Sequence, residues 1–269
     1  MIAFPNAKIN LGLHILFKRA DGFHEISTCF YPIGWSDVLE VVPSQEEKMW
    51  CGGRIINTSL ENNLCWKAYQ LLKKAYQLPL VSIGLYKALP IGSGLGGGSS
   101  DGAFTLRLLN DLFDLKITTE KLEEYALSLG SDCPFFIRNA PAFASGRGEI
   151  LTPCNVSLKG KFIVVVFPDL PIATKDAFAE VKPKIPARSL QDILKMPISS
   201  WKEHLTNDFE ETLFRRYTIL PTVKEKLYEI GAVYASMSGS GSAIYGIFDH
   251  EVTTTDLFPK HFSIWTGYL

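Results

Sequence analysis

The alternation of apolar and polar residues along the chain predicts a series of short strands. Over residues 7–15 the odd positions are apolar, whereas Lys8, Asn10 and His14 stand at even positions. A period of two is typical of a half-buried strand, so Lys8 and Asn10 are expected to share its polar face. Similar patterns predict five more strands, over residues 26–33, 81–86, 162–167, 233–236 and 243–248.

Apolar residues that recur about every 3.6 residues predict the helices between these strands. Gly130 and Gly231 each follow an apolar stripe, at a position where helices commonly end. Mixed strands and helices favour an α+β protein. The predicted helices lie within residues 61–76, 103–113, 122–129, 208–217 and 221–230.

Length and composition fit a protein of one large or two modest domains. The chain has 269 residues, of which 46% are hydrophobic and 20% are charged, so it can bury a core. We expect a boundary near Pro153, with domains over residues 1–152 and 153–269. The net charge is −1, which provides no general electrostatic attraction to nucleic acid.

The sequence predicts neither a membrane segment nor secretion. Its densest apolar run, Phe162–Phe167, is far shorter than the roughly 20 residues of a transmembrane helix, and the N-terminus lacks the pattern of a signal peptide. The five cysteines are odd in number and form no C-x-x-C pair, so neither a disulfide framework nor a zinc site follows. We therefore expect a cytoplasmic protein, and no obligate protein partner is evident from the sequence.

The strongest chemical signal is a glycine-rich loop. Residues 92–101 contain five glycines and three serines and lead directly into a predicted helix. Backbone N–H groups at a helix N-terminus bind phosphate well, because they lack partners and the helix dipole is positive there. A flexible surface loop is the alternative. The loop is not a Walker A motif, since no lysine follows its last glycine, and the preceding alternating strand argues against a dinucleotide-binding fold.

Three other features suit a phosphate-transferring enzyme. Lys8 could supply a fixed positive charge, although a solvated lysine is the ordinary alternative. Asp132 could act as a general base, although an aspartate before Cys133-Pro134 could equally cap a short turn. Residues 238–242 form a second loop of small residues, for which a tight turn is the alternative.

Taken in order, these segments resemble the three motifs of the GHMP kinases. The resemblance is carried by residues 5–13, the loop 90–101 and residues 237–241, and extends over nearly the whole chain. It is strongest to a branch that is distinguished by the segments 19–24, 130–136 and 207–210. That branch transfers the γ-phosphate of ATP to the 2-hydroxyl of a cytidine-diphosphate-linked methylerythritol, in the non-mevalonate route to isoprenoids.

This resemblance implies a fold and a set of site residues. The fold would be the two-domain GHMP kinase fold, with an N-terminal α/β domain, a C-terminal ferredoxin-like domain and an active site in the cleft between them. Asp132 would be the base and Lys8 the charge stabiliser. Asn63 would lie near the adenine of ATP. The other implied ATP-binding residues are Pro90, Gly92, Gly94, Leu95, Gly96, Gly97, Gly98, Ser99 and Ser100. For the phosphate acceptor, the implied residue near the methylerythritol is Asn10, and the implied residues at the cytidine end are Phe23, His24, Phe30, Thr174 and Phe178.

Mg²⁺ is expected with ATP because the phosphate charge must be neutralised. The sequence does not identify the protein ligands of the metal; Ser99 or Ser100 is one candidate. Two rival functions remain at this point: a GHMP kinase acting on mevalonate, a sugar or homoserine, and a non-catalytic relative that binds a ligand on the same fold.

Overall fold

A computed structural model describes residues 1–55 and 58–269 of the chain. Within these residues twelve strands form three four-stranded sheets, and nine α-helices accompany them. The strands are β1 (Ile2–Ala3), β2 (Asn6–Lys18), β3 (His24–Ser36), β4 (Val38–Pro43), β5 (Lys48–Gly53), β6 (Val81–Lys87), β7 (Ala142–Ser145), β8 (Ile150–Pro153), β9 (Phe162–Phe167), β10 (Tyr234–Met237), β11 (Ile244–Phe248) and β12 (Ser263–Tyr268). The helices are α1 (Leu64–Tyr76), α2 (Gly97–Leu112), α3 (Thr119–Leu129), α4 (Phe135–Arg138), α5 (Thr174–Glu180), α6 (Leu190–Leu194), α7 (Trp201–His204), α8 (Asp208–Arg216) and α9 (Ile219–Glu229).

The chain divides into two compact units. The first comprises Met1–Ala7, Trp35–Ile91 and Gly96–Ala140, and the second comprises Lys8–Gly34, Gly92–Leu95 and Pro141–Leu269. Each unit therefore draws on separate stretches of the sequence. The boundary near Pro153, where β8 ends, stays a prediction.

The first unit contains a mixed sheet with the strand order β1-β4-β6-β5. Strand β6 pairs antiparallel with β4 and parallel with β5. Helices α1 and α2 pack closely, because a Cβ added to Gly102 would lie 3.0 Å from the Cβ of Leu64. The middle of each apolar face predicted for these helices is buried, with Ala68, Leu72 and Leu106 fully inaccessible, whereas Ala75 near the end of α1 is exposed.

The second unit contains two sheets, with strand orders β2-β3-β7-β8 and β10-β11-β9-β12. Strand β9 is apolar and buried on both faces, and it pairs antiparallel with both β11 and β12. Helices α8 and α9 place Phe209, Leu213 and Leu227 in the same core as Val164 of β9. This arrangement confirms the predicted mixture of helices and strands.

Two local predictions are wrong in detail. Strand β2 is buried on both faces over residues 7–15 rather than on one, because hydrogen bonds satisfy the polar side chains of Lys8 and Asn10 within the protein. The helix expected over residues 61–76 begins at Leu64, because a 3₁₀ turn occupies Leu60–Asn62 and Asn63 caps the helix. Within the described residues, 1–55 and 58–269, no helix is long and apolar enough to cross a membrane.

Candidate active site

The glycine-rich segment leads into the N-terminus of α2, but the helix begins earlier than predicted, at Gly97, so that residues 97–101 belong to the helix and not to the loop. Gly96 holds the N-cap position in the left-handed conformation, with φ 75° and ψ 14°. The N–H of Ser100 donates to the carbonyl of Gly96 at 2.9 Å. The N–H groups of Gly97, Gly98 and Ser99 come earlier in the helix and have no acceptor within it. These groups form the type of terminus that binds phosphate.

Buried polar side chains follow directly in α2. Ser100 is fully buried and Asp101 is 3% exposed. Among the described residues, neither the Ser100 Oγ nor the Asp101 Oδ1 has a hydrogen-bond partner. Burial raises the pKa of Asp101 to about 8, although the nearby ammonium of Lys87 opposes this shift.

Asp132 lies in a turn that joins two helices of the first unit. Helix α3 ends at Leu129, Gly130 caps it, and residues 131–134 turn into α4. Asp132 is half-buried in this turn. Pro134 holds the N-cap position of α4, so Asp132 does not cap that helix. Burial raises the pKa of the neighbouring Cys133 thiol to about 12, with the Asp132 charge adding to the shift, and the thiol therefore stays protonated.

Asn63, the residue expected near adenine, has a structural role of its own. Its side-chain oxygen accepts from the N–H of Cys65 at 2.9 Å and thereby caps α1. Its Nδ2 lies 3.9 Å from the Sγ of Cys51 on β5. The position near adenine stays a prediction.

Lys8 lies in the second unit within a buried polar network. The side chain is 3% exposed, and its Nζ donates to the Oδ1 of Asn10 at 2.6 Å. Asn10 Nδ2 in turn donates to Thr28 Oγ1 at 2.9 Å. The ammonium also lies 4.8 Å from the centre of the Phe30 ring. Three residues that the sequence assigned to the site are thus together: Lys8, Asn10 and Phe30.

Backbone contacts hold residues 92–95 of the loop against this network. The N–H of Lys8 donates to the carbonyl of Leu95 at 2.9 Å. Ser238 Oγ donates to the carbonyl of Gly94, also at 2.9 Å, and lies 3.4 Å from Asn10 Oδ1. The small-residue loop at 238–242 and the first part of the glycine-rich loop are therefore neighbours within one unit.

Asn207 and Glu210 support the 238–242 loop, although the sequence analysis gave neither a role in the site. Asn207 Nδ2 donates to the carbonyls of Met237 and Gly239, at 2.8 and 2.9 Å. Its Oδ1 accepts from Phe209 N–H, which caps α8. Glu210 Oε1 accepts from Met237 N–H at 2.8 Å. The sequence feature that could have identified these two residues is the N-cap pattern of an asparagine followed three residues later by a glutamate.

Four of the five residues expected at the cytidine end lie in three contact pairs in the second unit, whereas the fifth, Phe30, lies beside Lys8. The rings of His24 and Phe178 stack at 5.0 Å with an interplanar angle of 17°. The guanidinium of Arg147 lies 4.8 Å from the centre of the Phe23 ring, which is 52% exposed. Burial lowers the pKa of His24 below 6.5, and Lys18 adds to the effect, so the ring is neutral at pH 7.

The third pair joins the hydroxyls of Thr174 and Ser240, which are 3.2 Å apart. Phe178 also packs edge-on against Phe209, at 4.8 Å between ring centres. Because Phe209 follows the Asn207 cap, these contacts connect the aromatic stack to the loop at 238–242.

Metal binding by the protein alone is not indicated. In the part of the chain that the structure describes, no three His, Cys, Asp or Glu residues are grouped so that they could hold a metal ion. The five cysteines are present as free thiols.

Comparison with protein families matches both halves of the chain. The family profile described as GHMP kinases N terminal domain matches residues 63–146, and the profile described as GHMP kinases C terminal matches residues 189–254. A protein of Bacteroides fragilis named 4-diphosphocytidyl-2-C-methyl-D-erythritol kinase is 49% identical over 261 residues, which cover 96% of this chain and 95% of the relative. A protein of the same name from Parabacteroides distasonis is 46% identical over the full length of both chains.

Solved structures agree with this match. A crystal structure of 4-(cytidine 5'-diphospho)-2C-methyl-D-erythritol kinase has a TM-score of 0.79 and 34% identity, and the alignment covers 92% of this chain and 90% of the other. The mevalonate kinase of Methanococcus jannaschii has a TM-score of 0.70 at 13% identity, with 99% and 97% covered. At 13% identity, the similarity to the mevalonate kinase shows a shared fold alone.

Proposed function

The chain belongs to the GHMP kinase family, and from that premise we propose that it phosphorylates the 2-hydroxyl of 4-diphosphocytidyl-2-C-methyl-D-erythritol with ATP. The observation that carries the proposal is the 49% identity, over 96% of the chain, to a relative of that name. The kinases for other acceptors that share the fold are far more distant, such as the mevalonate kinase at 13% identity. The acceptor is therefore inferred from sequence likeness, and the chemistry from the residues of the site.

Phosphoryl transfer needs positioning and charge stabilisation more than covalent chemistry. In the proposal, the N–H groups at the start of α2 hold the phosphates of ATP. Lys8 supplies the positive charge on the acceptor side. Its hydrogen bond to Asn10 and the low exposure of both residues fix the ammonium in one place. A charge held before the reaction stabilises the transition state without the cost of reorganisation.

Asp132 is proposed to accept the proton of the attacking hydroxyl. Its turn is fixed on both sides, because the N–H of Cys133 donates to the carbonyl of Gly130 and the N–H of Phe136 donates to that of Cys133, both at 3.1 Å. A half-buried carboxylate on such a turn can be both preorganised and accessible to substrate.

Mg²⁺ is part of the proposal, and the residues of the loop fit it. Mg²⁺ usually keeps several waters and binds to substrate phosphates through few protein ligands. The unpartnered hydroxyl of Ser100 and the neighbouring Ser99 are the candidate protein ligands. The metal would neutralise phosphate charge during the transfer.

The cytidine end of the acceptor is proposed to bind at the aromatic pairs. The neutral ring of His24 can pair with the edge of a base, and Phe23 and Phe178 offer ring faces for stacking. Thr174 adds a hydroxyl next to Ser240. We place the enzyme in the cytoplasm, with small-molecule substrates, and without a need for nucleic acid, a membrane or a protein partner.

The test is phosphate transfer by the purified protein from ATP to a panel of acceptors. The panel contains the cytidylylated methylerythritol, its uridine analogue, mevalonate, homoserine and galactose. The proposal predicts efficient transfer to the first alone. Comparable transfer to mevalonate or homoserine would point to another member of the family, and transfer to none would point to a ligand-binding relative.

A further inference from the structure

Lys87 is a buried cation at the end of β6, and none of the roles above uses it. Its side chain is 5% exposed, and its Nζ donates to two carboxyl groups. One is Asp101 in α2, at 2.7 Å. The other is Asp37, which is fully buried between β3 and β4. A buried ion of this kind is costly unless its partners are well placed, so its presence calls for an explanation.

Asp37 connects this cation to the start of the glycine-rich loop. Its second oxygen, Oδ1, accepts from the N–H of Ala88 at 2.7 Å and from that of Leu89 at 2.8 Å. These two residues join β6 to Pro90, where the loop begins. One carboxylate therefore holds both the Lys87 side chain and the backbone that follows it.

The ammonium also lies at the first residue of α2. A Cβ added to Gly97 would be 3.4 Å from Lys87 Nζ and 3.1 Å from Leu89 Cδ1. A positive charge near a helix N-terminus is unfavourable for the helix itself, since the dipole is positive at that end. The same placement favours an anion at the N–H groups of that terminus.

From these contacts we propose that Lys87 is a positioning residue for phosphate binding. Held between Asp37 and Asp101, it fixes the end of β6 against the first turns of α2 and places its ammonium at the phosphate-binding terminus. The inference rests on the proposed function, because it takes the anion to be the phosphates of ATP.

The charges of Lys87, Asp37 and Asp101 are compatible with this role. The carboxylates raise the pKa of Lys87 above 10.5 even though burial opposes them, so it stays charged. Burial raises the pKa of Asp101 to about 8, which favours the protonated form of this side chain near neutral pH. One ammonium and one carboxylate then neutralise each other, while the protonated Asp101 still accepts through Oδ2. An asparagine at position 101 has nearly the same shape and can accept in the same way.

The experiment measures binding of Mg²⁺–AMPPNP by calorimetry, together with the KM values of both substrates. For Lys87→Met we expect binding to weaken tenfold or more and the KM for ATP to rise in parallel, with the KM for the acceptor unchanged. Lys73→Met is the matched control, because Lys73 is in the same unit and its ion-pair partner, Glu47, belongs to neither the loop nor α2. Its AMPPNP affinity should stay within about twofold of the wild type.

Two further variants decide the question if Lys87→Met does not fold. Asp101→Asn keeps an acceptor for Lys87 and should retain AMPPNP affinity within about threefold, whereas Asp101→Leu removes that acceptor and should weaken binding tenfold or more. Unchanged affinity in a folded Lys87→Met or Asp101→Leu protein would overturn the inference, as would equal increases in both KM values. Absence of AMPPNP binding by the wild type would instead count against the proposed function.

Discussion

Ser238 packs directly against Gly94, and the contact leaves no room for a side chain at position 94. The Ser238 Oγ donates to the carbonyl of Gly94 at 2.9 Å, and a Cβ added to Gly94 would lie 2.0 Å from the carbonyl oxygen of Ser238. Gly94 also has a φ of 77°, which L side chains rarely adopt. The packing of two loops that are more than 140 residues apart in sequence thus requires a residue without a side chain at position 94.

Gly94→Ala is therefore expected to displace the glycine-rich loop and to weaken AMPPNP binding more than tenfold, about 1.4 kcal/mol. Calorimetric titration measures the affinity. Gly160→Ala is the control, because Gly160 is in the same unit with φ 82° but has no atom within 4 Å of its added Cβ. Equal affinity in both variants would show that the Gly94 contact does not shape the phosphate site.

Asn207→Ala should lower the free energy of unfolding by about 2–4 kcal/mol. The substitution removes the cap of α8, worth about 1 kcal/mol, and leaves two buried carbonyls without their donor. Urea unfolding gives the value. Thr118→Ala removes an exposed cap, at the start of α3, and should cost about 1 kcal/mol or less. If the two losses were the same, the bonds from Asn207 to the 238–242 loop would contribute nothing measurable.

The raised pKa of Asp101 predicts a pH dependence of stability. Between pH 4 and about pH 8 the folded protein keeps a proton on Asp101 that the unfolded chain has released. This contribution to the free energy of unfolding is full below pH 4 and is lost as the pH rises towards 8. Asp101→Asn cannot titrate, so its free energy of unfolding should fall less over this range. Parallel curves for the two proteins, from urea unfolding at several pH values, would contradict the assignment.

His24→Ala tests the cytidine end of the site. Loss of a partner for the base edge should raise the KM for the cytidine substrate about 5- to 150-fold, equivalent to about 1–3 kcal/mol. Because the base is held alike in the ground and transition states, kcat and the KM for ATP should change little. His261→Ala is the control, since His261 also contacts a phenylalanine, Phe262, at 4.8 Å. If kcat fell strongly while the preference for the cytidine over the uridine substrate stayed the same, His24 would not be a partner of the cytosine edge.

The sequence alone predicted the elements that depend on local pattern. Strand β9, helix α2 and the glycine-rich loop could be predicted because the spacing of apolar residues and the positions of turn residues determine them. The burial of Lys8 and Asn10 was not predicted, because alternation shows which residues share a face but not what covers it. The Asn207 contacts to Met237 and Gly239 were missed for a related reason, since they join residues 30 and 32 positions apart.

Lys87 shows the same limit in the candidate site. In the sequence it is one polar residue at the end of an alternating strand, and its partners lie 50 and 14 positions away. Only the fold places two carboxyl groups on its ammonium. Residue type and spacing alone could not decide whether Lys8 and Asp132 have a catalytic or an ordinary structural role. The family resemblance supplied their catalytic roles.

The central claim is that this protein transfers phosphate from ATP to one particular hydroxyl, with Asp132 as the base. The most direct measurement is NMR of the product, made from ¹³C-labelled 4-diphosphocytidyl-2-C-methyl-D-erythritol by wild type and by Asp132→Asn at equal concentration. The account predicts a single new phosphate monoester that splits the carbon-2 signal, formed about 10²- to 10⁴-fold more slowly by the variant. Phosphate on another hydroxyl, no transfer by the wild type, or equal rates for the two proteins would contradict it.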